Sequence, residues 1–195
     1  MWTEKVHFFR KFLKSPGKVG SFIPSSSFLV DKMLEYIEWN RICSIIELGA
    51  GTGVLTRKLA KLKQSHWKVL VFELDNEMRQ RLEQLIPEFN YYVNAKEIYH
   101  IVQLQGLEKV DCIISGLPFA NFSEELREDI LDGVVRSLKP EGQFVAFQYS
   151  LHMKEQLHRY FATVKISFVP LNLPPAFIYH CHTPVAQHNS FKEVV

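Results

Sequence analysis

Short apolar runs alternate with stretches of helical periodicity along most of the chain. The runs at 44–48, 68–73, 90–94, 110–115 and 143–149 have the length and the Ile, Val and Phe content of buried strands. Between and after them, residues 53–63, 76–85, 96–105, 123–138 and 152–161 return apolar side chains at helical spacing, least clearly in 96–105. Two more apolar runs, 163–169 and 176–182, add strands toward the C-terminal end. Strands and helices that alternate in this way predict an α/β fold, Rossmann-like, with a seven-stranded, mostly parallel sheet covered by helices on both faces. Local signals agree: Asp75 stands where it can cap a helix over 76–85, and Pro24-Ser25-Ser26-Ser27 offers a cap for a helix over 28–39.

The first residues differ in character. Trp2, Val6, Phe9 and Leu13 recur at helical spacing, with Phe8 and Phe12 widening the stripe, while Lys5, Arg10, Lys11, Lys14 and Lys18 face only Glu4. A basic amphipathic helix of this kind can lie on an anionic membrane surface through residues 2–14, or it can pack on its own domain. Ser15-Pro16-Gly17-Lys18 closes it. The expected organisation is therefore an N-terminal helix over 1–18, a catalytic domain over 19–182 and a tail over 183–195.

At 195 residues and 47% hydrophobic content, the chain suits one domain with a full core. Cys43, Cys112 and Cys181 lie far apart, within or beside apolar runs, as reduced cysteines of a cytoplasmic protein do. No run reaches the eighteen or so apolar residues of a membrane span, and no signal-peptide core opens the chain. A net charge of +2 does not mark a nucleic-acid binder. The placement predicted is cytoplasmic, with peripheral contact on the inner face of the cell membrane through the basic segment.

The densest chemical signal is Ile45-Ile46-Glu47-Leu48-Gly49-Ala50-Gly51-Thr52-Gly53, a buried run passing into a glycine turn and then into the helical Val54, Leu55 and Leu59. Glycines permit positive φ and let a ligand approach the backbone closely. A dinucleotide fingerprint would place glycine at 54 or 56, where the chain has Val54 and Thr56. About twenty residues later, Val69-Leu70-Val71-Phe72-Glu73 ends on a carboxylate suited to a ribose diol. A third signal is the strand Asp111-Cys112-Ile113-Ile114 leading into Ser115-Gly116-Leu117-Pro118-Phe119 at the edge where open α/β sheets bind ligands. The Ser115 hydroxyl and the Gly116 and Leu117 carbonyls can accept hydrogen bonds there, and Phe119 adds an aromatic face for a cation.

Glu47-x-Gly-x-Gly-x-Gly resembles the first motif of the class I S-adenosylmethionine (SAM)-dependent methyltransferases. Together with Val19-Gly20, Pro24-Ser25-Ser26, Ser115-Gly116-Leu117-Pro118, Phe144-Val145-Ala146-Phe147-Gln148-Tyr149 and Asn172-Leu173-Pro174-Pro175-Ala176, it is similar to bacterial phospholipid N-methyltransferases, which act on phosphatidylethanolamine. The resemblance covers residues 18–180. It implies SAM as cofactor, bound by Gly20, Glu47, Gly49, Gly51, Gly53, Glu73, Asn94 and Ser115, and a phospholipid substrate met by Gly116, Leu117, Pro118, Phe119 and Tyr179. Ser115 and Tyr149 are the catalytic candidates, and Tyr149 or His152 would assist loss of the amine proton through water. Many relatives carry Asp-Ala where this chain has Asn94-Ala95, and an amide oxygen can still accept the adenine amine.

Ribosomal RNA adenine methyltransferases resemble the chain too, but they carry Asn or Asp where Ser115 stands, to clamp a planar amine. That makes a nucleic-acid substrate the second reading; a SAM-binding protein without catalysis is the third. No metal is expected: His180 and His182 share a strand face without acidic or cysteine partners on it. Methyl transfer itself asks mainly for alignment and exclusion of water.

Overall fold

The computed structural model describes residues 26–185. The basic segment, Gly20 and the tail beyond 185 lie outside the described residues. Seven strands form one sheet: β1 (Ser44–Leu48), β2 (Lys68–Phe72), β3 (Asn90–Tyr92), β4 (Val110–Ser115), β5 (Leu138–Gln148), β6 (Phe161–Val169) and β7 (Ala176–Pro184). Their order is β3-β2-β1-β4-β5-β7-β6, with β7 antiparallel to both of its neighbours and the remaining pairs parallel. The helices among the described residues are α1 (Ser27–Leu34), α2 (Val54–Leu62), α3 (Asn76–Leu85), α4 (Ile98–Leu104), α5 (Glu124–Ser137) and α6 (Lys154–Tyr160).

Alternation along the strands supplies two cores. Ile46, Leu48, Leu70 and Phe72 point to the face covered by α4, α5 and α6. Ile45, Val69 and Val71 point to the opposite face, under α1, α2 and α3. Both faces of the central strands are thus buried, which accounts for their unbroken apolar runs.

The predicted caps are in place. Ser26 Oγ accepts from Leu29 N at 3.1 Å, and Asp75 Oδ1 accepts from Glu77 N and Met78 N at 3.0 Å each. The helix expected over 28–39 ends earlier, at Leu34. Ile37 packs into the core and Trp39 turns to stack on Trp67, with ring centroids 5.4 Å apart, which a continued helix would prevent. β5 also starts earlier than its apolar run, because Leu138 pairs with Val110 across an irregular register before Cys112 meets Gln143. The ill-defined 96–105 stretch resolves into a 3-10 turn, Ala95–Glu97, followed by α4.

Candidate active site

Strand order reverses between β1 and β4, and the crevice at the carboxyl ends beside such a reversal is where ligands bind in open α/β sheets. Along that edge the chain sets the glycine turn after β1, Glu73 after β2, Asn94 after β3, Ser115 at the end of β4 and Tyr149 after β5. The turn joining β6 to β7 lies on the same edge, since Val169 and Ala176 pair there and Phe177 faces Gln148.

Gly49, Gly51 and Gly53 all take positive φ, at 76°, 55° and 78°. Their surroundings differ. A Cβ on Gly49 would come within 2.9 Å of Leu117 Cδ2, and one on Gly53 within 2.2 Å of Leu82 Cδ2, so these two glycines let the turn sit tightly on its own protein. A Cβ on Gly51 would meet nothing within 4 Å. That open cradle is a place for a ligand to rest against backbone.

Two carboxylates flank the turn. Glu73 Oε2 accepts from Gly51 N at 2.6 Å, and its Oε1 accepts from Asp75 N at 2.8 Å. Glu73 therefore braces both the glycine turn and the start of α3, and each oxygen keeps a second lone pair. Burial raises its carboxyl above the ordinary range. Glu47 is 1% exposed, and its Oε2 has no hydrogen-bond partner. Burial, opposed by the Thr56 hydroxyl and amide and reinforced by the Glu73 charge, pushes the Glu47 carboxyl up to about 8. A buried carboxyl that keeps one oxygen without a hydrogen bond, next to an open glycine cradle, fits a cofactor that brings donors or positive charge.

On the substrate side, Ser115 is fully buried and its hydroxyl accepts from Leu117 N at 3.2 Å. Gly116 N donates to Leu48 O at 2.8 Å, and a Cβ there would come within 3.0 Å of Gly49 O, so this turn packs directly against the glycine turn. The Ser115 hydroxyl thus shapes the Ser-Gly-Leu-Pro turn from within. Leu117 is buried, and Gly116 and Pro118 are half-buried.

The expectation of several aromatic faces narrows to one. Phe119 and Tyr179 are both buried in the core, Phe119 edge-on to Phe122 and Tyr179 with its hydroxyl donating to Ser150 O at 3.1 Å. Neither offers a face to a substrate, because their strands and turns need the rings for packing. Tyr149, 42% exposed, is the ring that reaches the edge, and it stands edge-on to Phe147. Burial raises its phenol, so at neutral pH Tyr149 stays protonated, a hydrogen-bonding group and an aromatic face instead of a base. Asn94 caps the 3-10 turn after β3, its Oδ1 accepting from Lys96 N at 3.1 Å.

Two residues stand in motifs of the resemblance but were given no role by the sequence. Gln148 Nε2 donates to Leu117 O at 2.8 Å and so ties the Ser-Gly-Leu-Pro turn to β5. Its signal was a polar residue ending an apolar strand. Asn172, buried in the β6–β7 turn, accepts from Ser26 Oγ at 2.8 Å and donates from Nδ2 to Pro174 O at 2.6 Å. Among the described residues, no group of three or more His, Cys, Asp or Glu is placed to hold a metal, and no helix is long and apolar enough to cross a membrane.

Residues 45–142 match the family described as "Methyltransferase domain". The chain is 32% identical over 179 residues to an ornithine lipid N-methyltransferase of Singulisphaera acidiphila, covering 89% of this chain and 93% of that one. It is 23% identical over 141 residues to ribosomal RNA small subunit methyltransferase A of Rippkaea orientalis, covering 69% of this chain but 49% of the other. Among solved structures, N-methyltransferase NodS of Bradyrhizobium japonicum, in complex with S-adenosyl-L-homocysteine, matches 90% of this chain and 98% of its own. The TM-score is 0.65 at 14% identity, a likeness of fold.

Proposed function

We propose, from the premise that this chain belongs to the class I SAM-dependent methyltransferases, that it methylates the amine nitrogen of a membrane lipid headgroup, phosphatidylethanolamine in the first instance. What carries the reading is the extent of similarity to a lipid N-methyltransferase, which runs over nearly the whole of both chains. The ribosomal RNA enzyme matches over about half of its length.

The site supports the same choice. A planar exocyclic amine is gripped by a side-chain amide or carboxylate at the end of β4, and here that position holds a buried serine whose hydroxyl faces its own turn. A tetrahedral alkyl amine does not need that flat clamp. Tyr149 can offer its ring to an ammonium, whose attraction to the aromatic face survives as methyl groups are added.

SAM supplies an electrophilic sulfonium methyl when bound. The chain's part is to hold and align. Gly49, Gly51 and Gly53 give the backbone cradle, Glu73 keeps Gly51 N in place, and Glu47 presents a free oxygen. On the other side, Gln148 fixes the Leu117 carbonyl and Ser115 fixes the Leu117 amide, so the substrate-facing turn is held from both strands. The Tyr149 phenol is itself protonated at neutral pH, so it is not the base that takes the amine's proton. Restricting approach to one line and excluding water is what this geometry contributes to rate.

The test is transfer of labelled methyl from SAM to vesicles containing phosphatidylethanolamine, to vesicles containing ornithine lipid, and to ribosomal RNA. Label in extracted lipid and none in RNA is the expected result. Label confined to RNA adenine would replace the reading with the second one.

A further inference from the structure

We infer that the turn between β6 and β7 is an apolar wedge that enters a lipid surface and seats the mouth of the site on it; the inference rests on the lipid reading above. Leu171 and Leu173 at the tip are 79% and 72% exposed. Between them, Asn172 is buried and bonded through both ends of its amide, to Ser26 Oγ and to Pro174 O. The usual arrangement is inverted, with the polar residue inside and the apolar ones outside. Because Asn172 pins the turn, the exposure of the two leucines is built into the fold.

No Asp, Glu, Lys or Arg occurs from Ile166 to Tyr179, so the tip has no charge to keep it in water. Phe168 near the end of β6, and Tyr149 and Leu151 just after β5, are exposed at the same end of the sheet. The location decides the occupant. The tip lies at the carboxyl edge of the sheet, beside Tyr149 and in line with the glycine turn and Ser115, the edge to which a headgroup amine must be delivered.

Charge points the same way. Ser26, bonded to Asn172, is where residues 1–25 join the described fold, and that segment carries Lys5, Arg10, Lys11, Lys14 and Lys18 against Glu4. An apolar tip bonded to the residue that follows a cationic stretch of sequence matches an apolar interior behind anionic headgroups. A few exposed side chains cover roughly a few hundred Å², short of the roughly 800 Å² per partner of a stable protein interface.

The test compares the full chain with a Leu171→Asp, Leu173→Asp variant by sedimentation with vesicles of phosphatidylethanolamine and phosphatidylglycerol. Salt near about 0.5 M shortens the screening length to a few ångströms and isolates the apolar contribution. There the variant should lose about tenfold or more in vesicle affinity, since two leucines no longer leave water. Its affinity for S-adenosylhomocysteine should not change. Equal sedimentation of the two proteins overturns the inference.

A Leu171→Cys protein in a Cys43→Ser background, labelled with a polarity-sensitive dye, gives an independent readout; the other cysteines are buried. Its emission should shift to the blue when vesicles are added. Blue emission before any vesicle is added would overturn the inference in favour of residues 1–25 or a second copy covering the tip. Methyl transfer to glycerophosphoethanolamine, which needs no membrane, separates the two ideas. A wild-type protein that binds vesicles through the tip but methylates neither lipid nor headgroup would sink the lipid reading alone.

Discussion

Replacing Glu47 with glutamine should flatten the pH dependence of stability in a defined window. Glu47 lies within β1, out of water, and its carboxyl titrates at about 8 in the folded chain against 4.5 for the free group. The folded state therefore keeps a proton that the unfolded chain releases, so stability falls as pH rises from 4.5 to 8. His180 acts in the opposite sense. Its imidazole, buried on β7, titrates at about 4 instead of 6.5, so it adds stability as pH rises through that interval and nothing above it. His182 is lowered by burial as well and likewise contributes no slope above 6.5.

The window from pH 6.5 to 8 lies above the interval of His180 and inside that of Glu47. At about 1.4 kcal/mol per pH unit, Glu47 alone removes about 2 kcal/mol across it. Urea unfolding of the ligand-free protein at a series of pH values measures this directly. Wild type should lose about 2 kcal/mol between pH 6.5 and 8, while Glu47→Gln, nearly the same shape without the titration, should stay close to level. Parallel curves for the two proteins would refute the assignment of a protonated Glu47.

Gly51→Val should abolish SAM binding measured by calorimetry, because its side chain enters the open cradle, and should also lower the melting temperature through its positive φ, though without the collision that a side chain at Gly53 meets. Gly53→Ala should instead destabilise the fold by about 3 kcal/mol, from a strained positive φ and a collision with Leu82, read from urea midpoints. Gln148→Ala should lower kcat for methyl transfer while leaving S-adenosylhomocysteine affinity unchanged, since it frees only the Leu117 carbonyl. Deleting residues 2–14 should weaken sedimentation with anionic vesicles in a salt-dependent way and spare SAM binding; unchanged sedimentation would favour a helix packed on its own domain.

Much of the fold was legible because its strands are buried on both faces and its helices on one. Those two burial patterns leave different apolar periods, and 76–85 and 110–115 were readable to the residue for that reason. The glycine turn could be located as well, since positive φ admits few residue types and the three glycines stand where the backbone requires them. What the sequence could not say is why each glycine is there. Gly49 and Gly53 answer to Leu117 and Leu82, which are distant in the chain, and Gly51 alone faces open space.

The same limit governs the site. Ser115, Phe119 and Tyr179 are residue types that serve chemistry or packing equally well, and the choice depends on which way a turn carries the side chain. Tertiary structure turned all three inward and left Tyr149 at the edge. Gln148 and Asn172 gained their roles from partners across the sheet edge, where no local period reports a contact. The chain by itself determined which segments become strands, helices and cofactor turn, because those follow from local periodicity and backbone freedom. Only the assembled sheet decided which side chains meet at its carboxyl edge, since such meetings depend on strand order, and strand order is a property of the whole molecule.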